Sequence, residues 1–399
     1  MEIFHRQQLA RQLATQVLAT HATAASSSGV FLAAPRRTGK STFLREDLSP
    51  QLEAMGAIVV YTDLWEDRKA DPGDVIVNAV RAELAKHDGV IAKLARTAGV
   101  SKLNVGGAVS FDLAQVGLGS GVSLSIALSE LSDEVEKPIV LVIDEAQQAI
   151  TSDSGQNALF ALKAARDHVN SSRHHGLRVV ATGSNRDKLA MLRASRDQAF
   201  FGAPLIDFPV LGEDYVAWFC AQSGLPGELD PKAVFELFKR ASFRPEVLGA
   251  AADSLRYKFD LAAEAVPRRF AQEVEEQIES GNAELLRIVH SLTPLQSAVL
   301  RVLAARRKAF APFEAQTMAA YQEVLAKLDG DGSKADVPGV QQALSALQEK
   351  ALVWKASRGV YDLEESALGE LMAQSGLLQV VPDSASSAAR NPGVPRESR

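Results

Sequence analysis

The sequence predicts an α/β fold: a central parallel sheet flanked by helices, followed by a helical segment and a smaller mixed domain. Three observations carry this. Apolar runs at 30–33, 57–62, 139–143 and 177–182 are nearly continuous, as expected for strands buried on both faces. Segments of helical periodicity separate them, the grammar of parallel strands joined by crossover helices. From about Ala283 the pattern changes to short helices and one hairpin-like stretch.

Composition bounds the rest. A chain of 399 residues exceeds one ordinary core, and 46% hydrophobic with 23% charged residues describes a globular protein. No apolar run reaches the roughly 20 residues needed to span a bilayer, and Met1 to Gln8 lacks the apolar core of a signal peptide. The expectation is a cytoplasmic protein with no membrane partner. The single cysteine, Cys220, excludes an internal disulfide and a Cys-based zinc site, and its apolar setting in Val216 to Cys220 marks a structural thiol. A net charge of −6 argues against coating nucleic acid by bulk electrostatics but leaves room for one basic face.

In chain order, an amphipathic helix is expected over 5–20, with Leu9, Leu13, Val17 and Leu18 on one side. Strand 30–33 leads into Ala34-Pro35-Arg36-Arg37-Thr38-Gly39-Lys40-Ser41-Thr42, which fits the P-loop pattern GxxxxGK[ST] except that Ala34 stands at the first Gly. The spacing suits phosphate binding. Loop N–H groups wrap the phosphates, the following helix adds its dipole, Lys40 reaches the β/γ oxygens and the Ser41 hydroxyl can ligate Mg²⁺. Only Gly39 is expected to be obliged to be small, and Ala34 fits if its φ is negative. The helix from Lys40 is expected to end near Leu48, with Pro50 beyond it.

Strand 57–62 and a helix opened by Asp71 as N-cap and Pro72 at its first position follow. Residues 99–127 are glycine-rich and read as a hairpin or flap before the next helix. The run Ile139 to Ile143 then ends in Asp144-Glu145, a Walker B pattern placed next to the P-loop strand. There Asp144 is the expected metal residue and Glu145 the general base. Strand 177–182 ends in Gly183-Ser184-Asn185, where Ser184 or Asn185 could face the γ-phosphate and hold the attacking water.

Pro35 to Ser41, Asp144-Glu145-Ala146-Gln147 and Thr182-Gly183-Ser184-Asn185, in this order and spacing, resemble the AAA+ and STAND-related P-loop ATPases. Within these the archaeal-ATPase-like family and the AAA+ ATPases of transposon target selection and secretion are most alike. The resemblance covers about residues 1–275 and implies ATP with Mg²⁺, a P-loop NTPase core with sheet order 5-1-4-3-2, and a helical lid. It implies nucleotide contacts from residues 34–42, catalytic roles for Lys40 and Glu145, and metal ligation by Ser41 and Asp144. Sensor 1 would fall on Ser184 or Asn185. Sensor 2 would fall on Arg244 in Ser242 to Leu248, with surface capping as its bland alternative.

One departure stands out: relatives often carry Gly-Arg after the sensor 1 strand, whereas Phe200 to Pro204 holds no arginine. A finger offered to a neighbouring copy in a homo-oligomer would then come from Arg193 or Arg196.

The expected domains are an ATPase core at 1–207, a lid at 208–280, a winged-helix-like domain at 281–375 and a disordered tail at 376–399. In the third, helix 338–350 offers Gln341, Gln342, Ser345, Gln348 and Lys350, a face suited as well to a protein partner as to DNA. Two functions follow: an ATP-hydrolysing switch coupled to a DNA or protein partner, or a nucleotide-gated DNA-binding or scaffold protein with little hydrolysis. A small-molecule kinase is disfavoured because the helical C-terminus offers no acceptor pocket.

Overall fold

Alternation inside the apolar runs decides the layers. Ile139, Leu141 and Ile143 face one core, and Val140 and Val142 face another; Phe31 and Ala33 divide from Val30 and Leu32 in the same way. The strands at 30–33, 139–144 and 177–183 are buried on both faces, so their sequences show no polar alternation, whereas the edge strands at 58–63 and 205–207 are only partly buried or exposed.

The computed structural model describes residues 2–19, 28–67, 69–99, 112–119, 121–171, 173–194, 198–329, 334–357, 359–379 and 381. The chain forms two compact units, 1–271 and 272–399. The first begins with α1 (Gln7–Leu18), β1 (Val30–Ala33), α2 (Lys40–Phe43), α3 (Ser49–Ala54), β2 (Ile58–Asp63), α4 (Pro72–Leu84), α5 (Asp88–Thr97) and α6 (Leu124–Val135). It continues with β3 (Ile139–Asp144), α7 (Asp153–Val169), β4 (Leu177–Gly183), α8 (Arg186–Met191), β5 (Leu205–Asp207), α9 (Glu213–Gln222), α10 (Pro231–Arg240), α11 (Pro245–Arg256) and the start of α12 (Val266–His290).

The sheet runs β2-β3-β4-β1-β5 with every pairing parallel, which from the other edge is the expected 5-1-4-3-2. Asp144 is therefore not on the strand beside the P-loop strand, because β4 lies between them. Register compensates. Ala33 pairs with Gly183, Ile143 with Ala181 and Asp63 with Asp144, so the strand tips end side by side. Helices α4, α6 and α7 cover one face and α1 with α2 and α3 the other.

Local differences have local causes. The P-loop helix does not stop at Leu48: a π-helical turn over Leu44–Leu48 leads into α3 with Pro50 in its first turn, where the missing N–H is tolerated. Asp71 caps α4 as expected, accepting the Gly73 N–H at 2.7 Å. Of the flap at 99–127, residues 100–111 and 120 lie outside the described ones. The rest holds a short 3₁₀ turn and an isolated bridge between Val116 and Val122, and 124–127 belongs to α6, capped by Ser123. Within the segment expected as the lid, α10 and α11 are separate helices, broken where Ser242 (φ 56°) and Phe243 (φ 55°) turn left-handed. Burial pushes the Cys220 thiol up to about 11, consistent with an unactivated thiol.

In the second unit α13 (Pro294–Arg306) is the hub. Its Ala298 to Leu303 segment is buried among α14 (Ala315–Asp329), α15 (Val337–Glu349), the antiparallel pair β6 (Val353–Ser357) and β7 (Val360–Leu363), and α16 (Ser366–Gln374). Thr293 caps α13 in a reciprocal box with Gln296. Of the tail expected at 376–399, residue 380 and residues 382–399 lie outside the described residues.

Tyr321 in this core is fully buried, and its hydroxyl has no hydrogen-bond partner among the described residues. An orphaned hydroxyl costs stability that its ring does not need. Tyr321→Phe is therefore expected to stabilise the protein by about 1 kcal/mol in denaturant unfolding, and an unchanged or lower midpoint would contradict this.

Candidate active site

Three strand ends build the site. From β1, Ala34 is buried, donates its N–H to the Gly183 carbonyl at 3.1 Å and is not among the residues with positive φ, so the first P-loop position needs no glycine. The positions that do turn left-handed are Arg37 (φ 63°) and Gly39 (φ 80°). A Cβ on Gly39 would meet only Leu211 Cδ1 at an ordinary 3.6 Å. Its glycine is thus required by backbone conformation rather than by crowding within the chain, and Arg37 occupies a second position where glycine would be easier. Arg37→Gly should relieve strain and raise stability by up to about 1 kcal/mol, read as a higher unfolding midpoint.

Around this loop, Thr38 Oγ1 donates to the Pro35 carbonyl at 2.8 Å, and Thr42 is exposed. The Arg36 guanidinium stacks over Trp65 at 4.4 Å, and its Nε reaches Ser184 Oγ at 3.4 Å.

Helix α2 then delivers Lys40 and Ser41 to the acids of β3. Lys40, 5% exposed, places Nζ 2.8 Å from Glu145 Oε1 and 3.3 Å from Asp144 Oδ1. Ser41 Oγ donates to Asp144 Oδ2 at 2.5 Å, Tyr61 OH reaches the same oxygen at 3.3 Å, and Thr182 Oγ1 donates to Oδ1. Burial alone would push the Asp144 carboxyl up. The Lys40 charge and the hydrogen bonds from Ser41, Thr182 and Lys40 outweigh it and hold Asp144 below the usual carboxylate range.

Glu145 sits at φ 53°, a left-handed turn that aims its side chain back across the strand ends. Its Oε2 accepts Ser184 Oγ at 2.7 Å and the Gln147 amide. Burial again opposes, and Lys40, Ser184 and Gln147 together hold this carboxyl low.

The two candidates at the β4 tip separate cleanly. Ser184 bonds Glu145, whereas Asn185 turns its Oδ1 to the Lys188 N–H as the N-cap of α8. In the lid, Arg244 precedes α11 and donates Nε to the Ala241 carbonyl at 3.0 Å. The ion pair that joins this helix to the P-loop is Arg37 with Glu246, at 3.9 Å. Arg193 spends Nε on the Ala203 carbonyl of its own chain, and Arg196 lies outside the described residues.

Sequence reading missed Tyr61, Thr182 and Gln147. Thr182 and Gln147 stand inside the strings Thr182 to Asn185 and Asp144 to Gln147, which was their only signal; Tyr61 arrives through sheet pairing alone.

The donors around Asp144 suit Mg²⁺: one anionic carboxylate and one hydroxyl, hard oxygen ligands of the kind this ion takes alongside phosphate and water. Among the described residues no cluster of three or more His, Cys, Asp or Glu side chains could hold a metal by itself. None of the described helices is long and apolar enough to cross a membrane.

The chain thus has a five-stranded parallel sheet in this order, with the 34–42 loop and an acidic strand end meeting at its carboxyl edge. Solved structures share this fold, among them the following two. The Walker-type ATPase PABY2304 of Pyrococcus abyssi is 16% identical with a TM-score of 0.51, covering 93% of this chain and 96% of its own. The Aeropyrum pernix ORC2 protein in its ADP form is 14% identical with a TM-score of 0.55, at 95% coverage of both chains. No protein-family model matches the chain. No curated protein matches it in sequence.

Proposed function

We propose that the chain binds ATP with Mg²⁺ at the carboxyl edge of the sheet and hydrolyses the γ-phosphate, switching the engagement of a DNA or protein partner. The observation that carries this is the convergence of Lys40, Ser41, Asp144, Glu145 and Ser184 from separate stretches of chain onto one buried cluster. A buried lysine at a helix N-terminus, held by the Glu145 and Asp144 carboxylates, suits a polyphosphate. The names of the similar structures, one a Walker-type ATPase and one an ADP form, support the same reading.

In this reading residues 34–42 cradle the phosphates and Lys40 moves from Glu145 to the β/γ oxygens. Ser41 and Asp144 hold Mg²⁺, which supplies charge neutralisation on the phosphates. Glu145 takes the proton of the attacking water, Ser184 serves as the sensor at the strand tip, and Asn185 supports it from the cap of α8. Arg244 closes the lid side. Residues 1–207 act as core, 208–280 as lid and 281–375 as a winged-helix-like partner domain; the order α13, α14, α15, the β6-β7 hairpin and α16 supports the last assignment. The exposed face of α15, Gln341, Gln342, Ser345 and Glu349, is polar with little charge, which favours a partner read by hydrogen bonds.

One observation favours a binder with little hydrolysis: both Glu145 oxygens are already engaged. ATP turnover with Mg²⁺, measured with and without duplex DNA, separates the readings. DNA-stimulated turnover supports the switch, and tight nucleotide binding with no turnover under either condition supports the gated binder. Sizing with a non-hydrolysable ATP analogue tests for an ATP-dependent homo-oligomer, which would restore Arg193 or Arg196 as a finger.

A further inference from the structure

Gln147 is polar, 2% exposed and two residues beyond the acidic strand end, in a 3₁₀ turn (Ala146–Thr151) that the expected roles of the site leave without a task. Its amide nitrogen donates to Glu145 Oε2 and approaches Ser184 Oγ at 3.3 Å. Its other end, Oε1, is buried without a hydrogen-bond partner among the described residues, pressed where any Cβ on Gly183 would collide with it. Buried amides are ordinarily satisfied at both ends, so an amide that gives up one end in order to hold a carboxylate with the other calls for an explanation.

The two oxygens of Glu145 have different partners. Oε1 is held by Lys40, a side chain that polyphosphate would draw away, and Oε2 by Ser184 and Gln147, which belong to the fold itself.

We propose that Gln147 is a positioning residue for hydrolysis: it grips Glu145 Oε2, so that when Lys40 leaves for the phosphates the carboxylate stays in place and presents Oε1 to water. The inference rests on the ATPase reading above. Positioning a base governs how often it meets the water in line, and leaves substrate affinity alone because the Gln147 amide faces the base. Ser184 shares the grip, so losing Gln147 weakens positioning without abolishing it.

The test is steady-state ATP turnover with Mg²⁺, together with direct binding of a non-hydrolysable ATP analogue, for the full chain and for Gln147→Leu, Gln147→Glu and Ser184→Ala. Gln147→Leu is expected to lower kcat by about tenfold to a hundredfold with KM and analogue affinity within about twofold of the parent. Gln147→Glu, which sets a second carboxylate against Glu145, is expected to fall further in kcat.

A Gln147→Leu protein that folds and turns over at the parental rate overturns the proposal. So does a loss that appears in analogue affinity and thermal midpoint as much as in kcat, the mark of a structural role. Should Gln147→Leu fail to fold, the Gln147→Glu and Ser184→Ala proteins decide by the same split between kcat and KM. If the parent binds the analogue but turns over no ATP, the ATPase reading fails and takes this inference with it; parental turnover with an indifferent Gln147 overturns the inference alone.

Discussion

Glu145→Gln is expected to cut Mg²⁺-dependent ATP turnover by about a hundredfold to ten-thousandfold, the range a positioned general base supplies, while nucleotide binding survives. The amide keeps the shape of the side chain and its bonding to Ser184 but cannot take a proton. Binding should improve. In the parent, Lys40 must leave a carboxylate 2.8 Å away before it can meet a phosphate, and in the variant that charged partner is gone. A non-hydrolysable ATP analogue should therefore bind up to about tenfold more tightly, measurable by titration calorimetry. Undiminished turnover would remove Glu145 from the reaction. Weaker analogue binding would show that the Lys40–Glu145 pair helps to shape the pocket rather than competing with nucleotide.

Lys40→Ala should do more than abolish nucleotide binding. The lysine is the cation beside a fully buried Asp144 and a largely buried Glu145, and removing one partner of a buried ion pair leaves an uncompensated charge. The expected loss is about 3–5 kcal/mol in denaturant unfolding without nucleotide, and a double variant with Glu145→Gln should recover part of it.

The pH dependence has a definite sign. Both carboxyls are held below their ordinary values of 3.8 and 4.5, so in the parent their contribution is present above those values and is lost as pH falls through and below them. With Lys40 gone the depression weakens, so the gap between parent and variant should narrow on acidification. A stability difference that is small at neutral pH, or that widens in acid, would mean that the acids find other compensation.

Much of this site could be read along the chain because phosphate chemistry needs particular residues at close spacing. The order Gly39-Lys40-Ser41 can be recognised from a single turn of backbone, and an apolar run ending in Asp144-Glu145 announces both a buried strand and what stands at its tip. The cap at Asp71 was legible for the same reason: its hydrogen bond to the Gly73 N–H spans two residues.

What the sequence could not decide depends on neighbours distant in the chain. Whether Ala34 was tolerable turned on its φ, which is set by pairing with β4 through the Gly183 carbonyl. That Ser184 bonds Glu145 while its neighbour Asn185 caps α8 was likewise not readable from the chain. Tyr61 joined Asp144 only because β2 lies beside β3.

The sequence by itself determined the fold class, the P-loop and the acids that face it, because these rest on periodicity and short-range spacing. Only the tertiary structure decided that Lys40 is held by Glu145, that Gln147 grips the opposite oxygen and that Arg37 rather than Gly39 alone is turned left-handed. Those features come from burial and strand register, which a linear pattern does not encode.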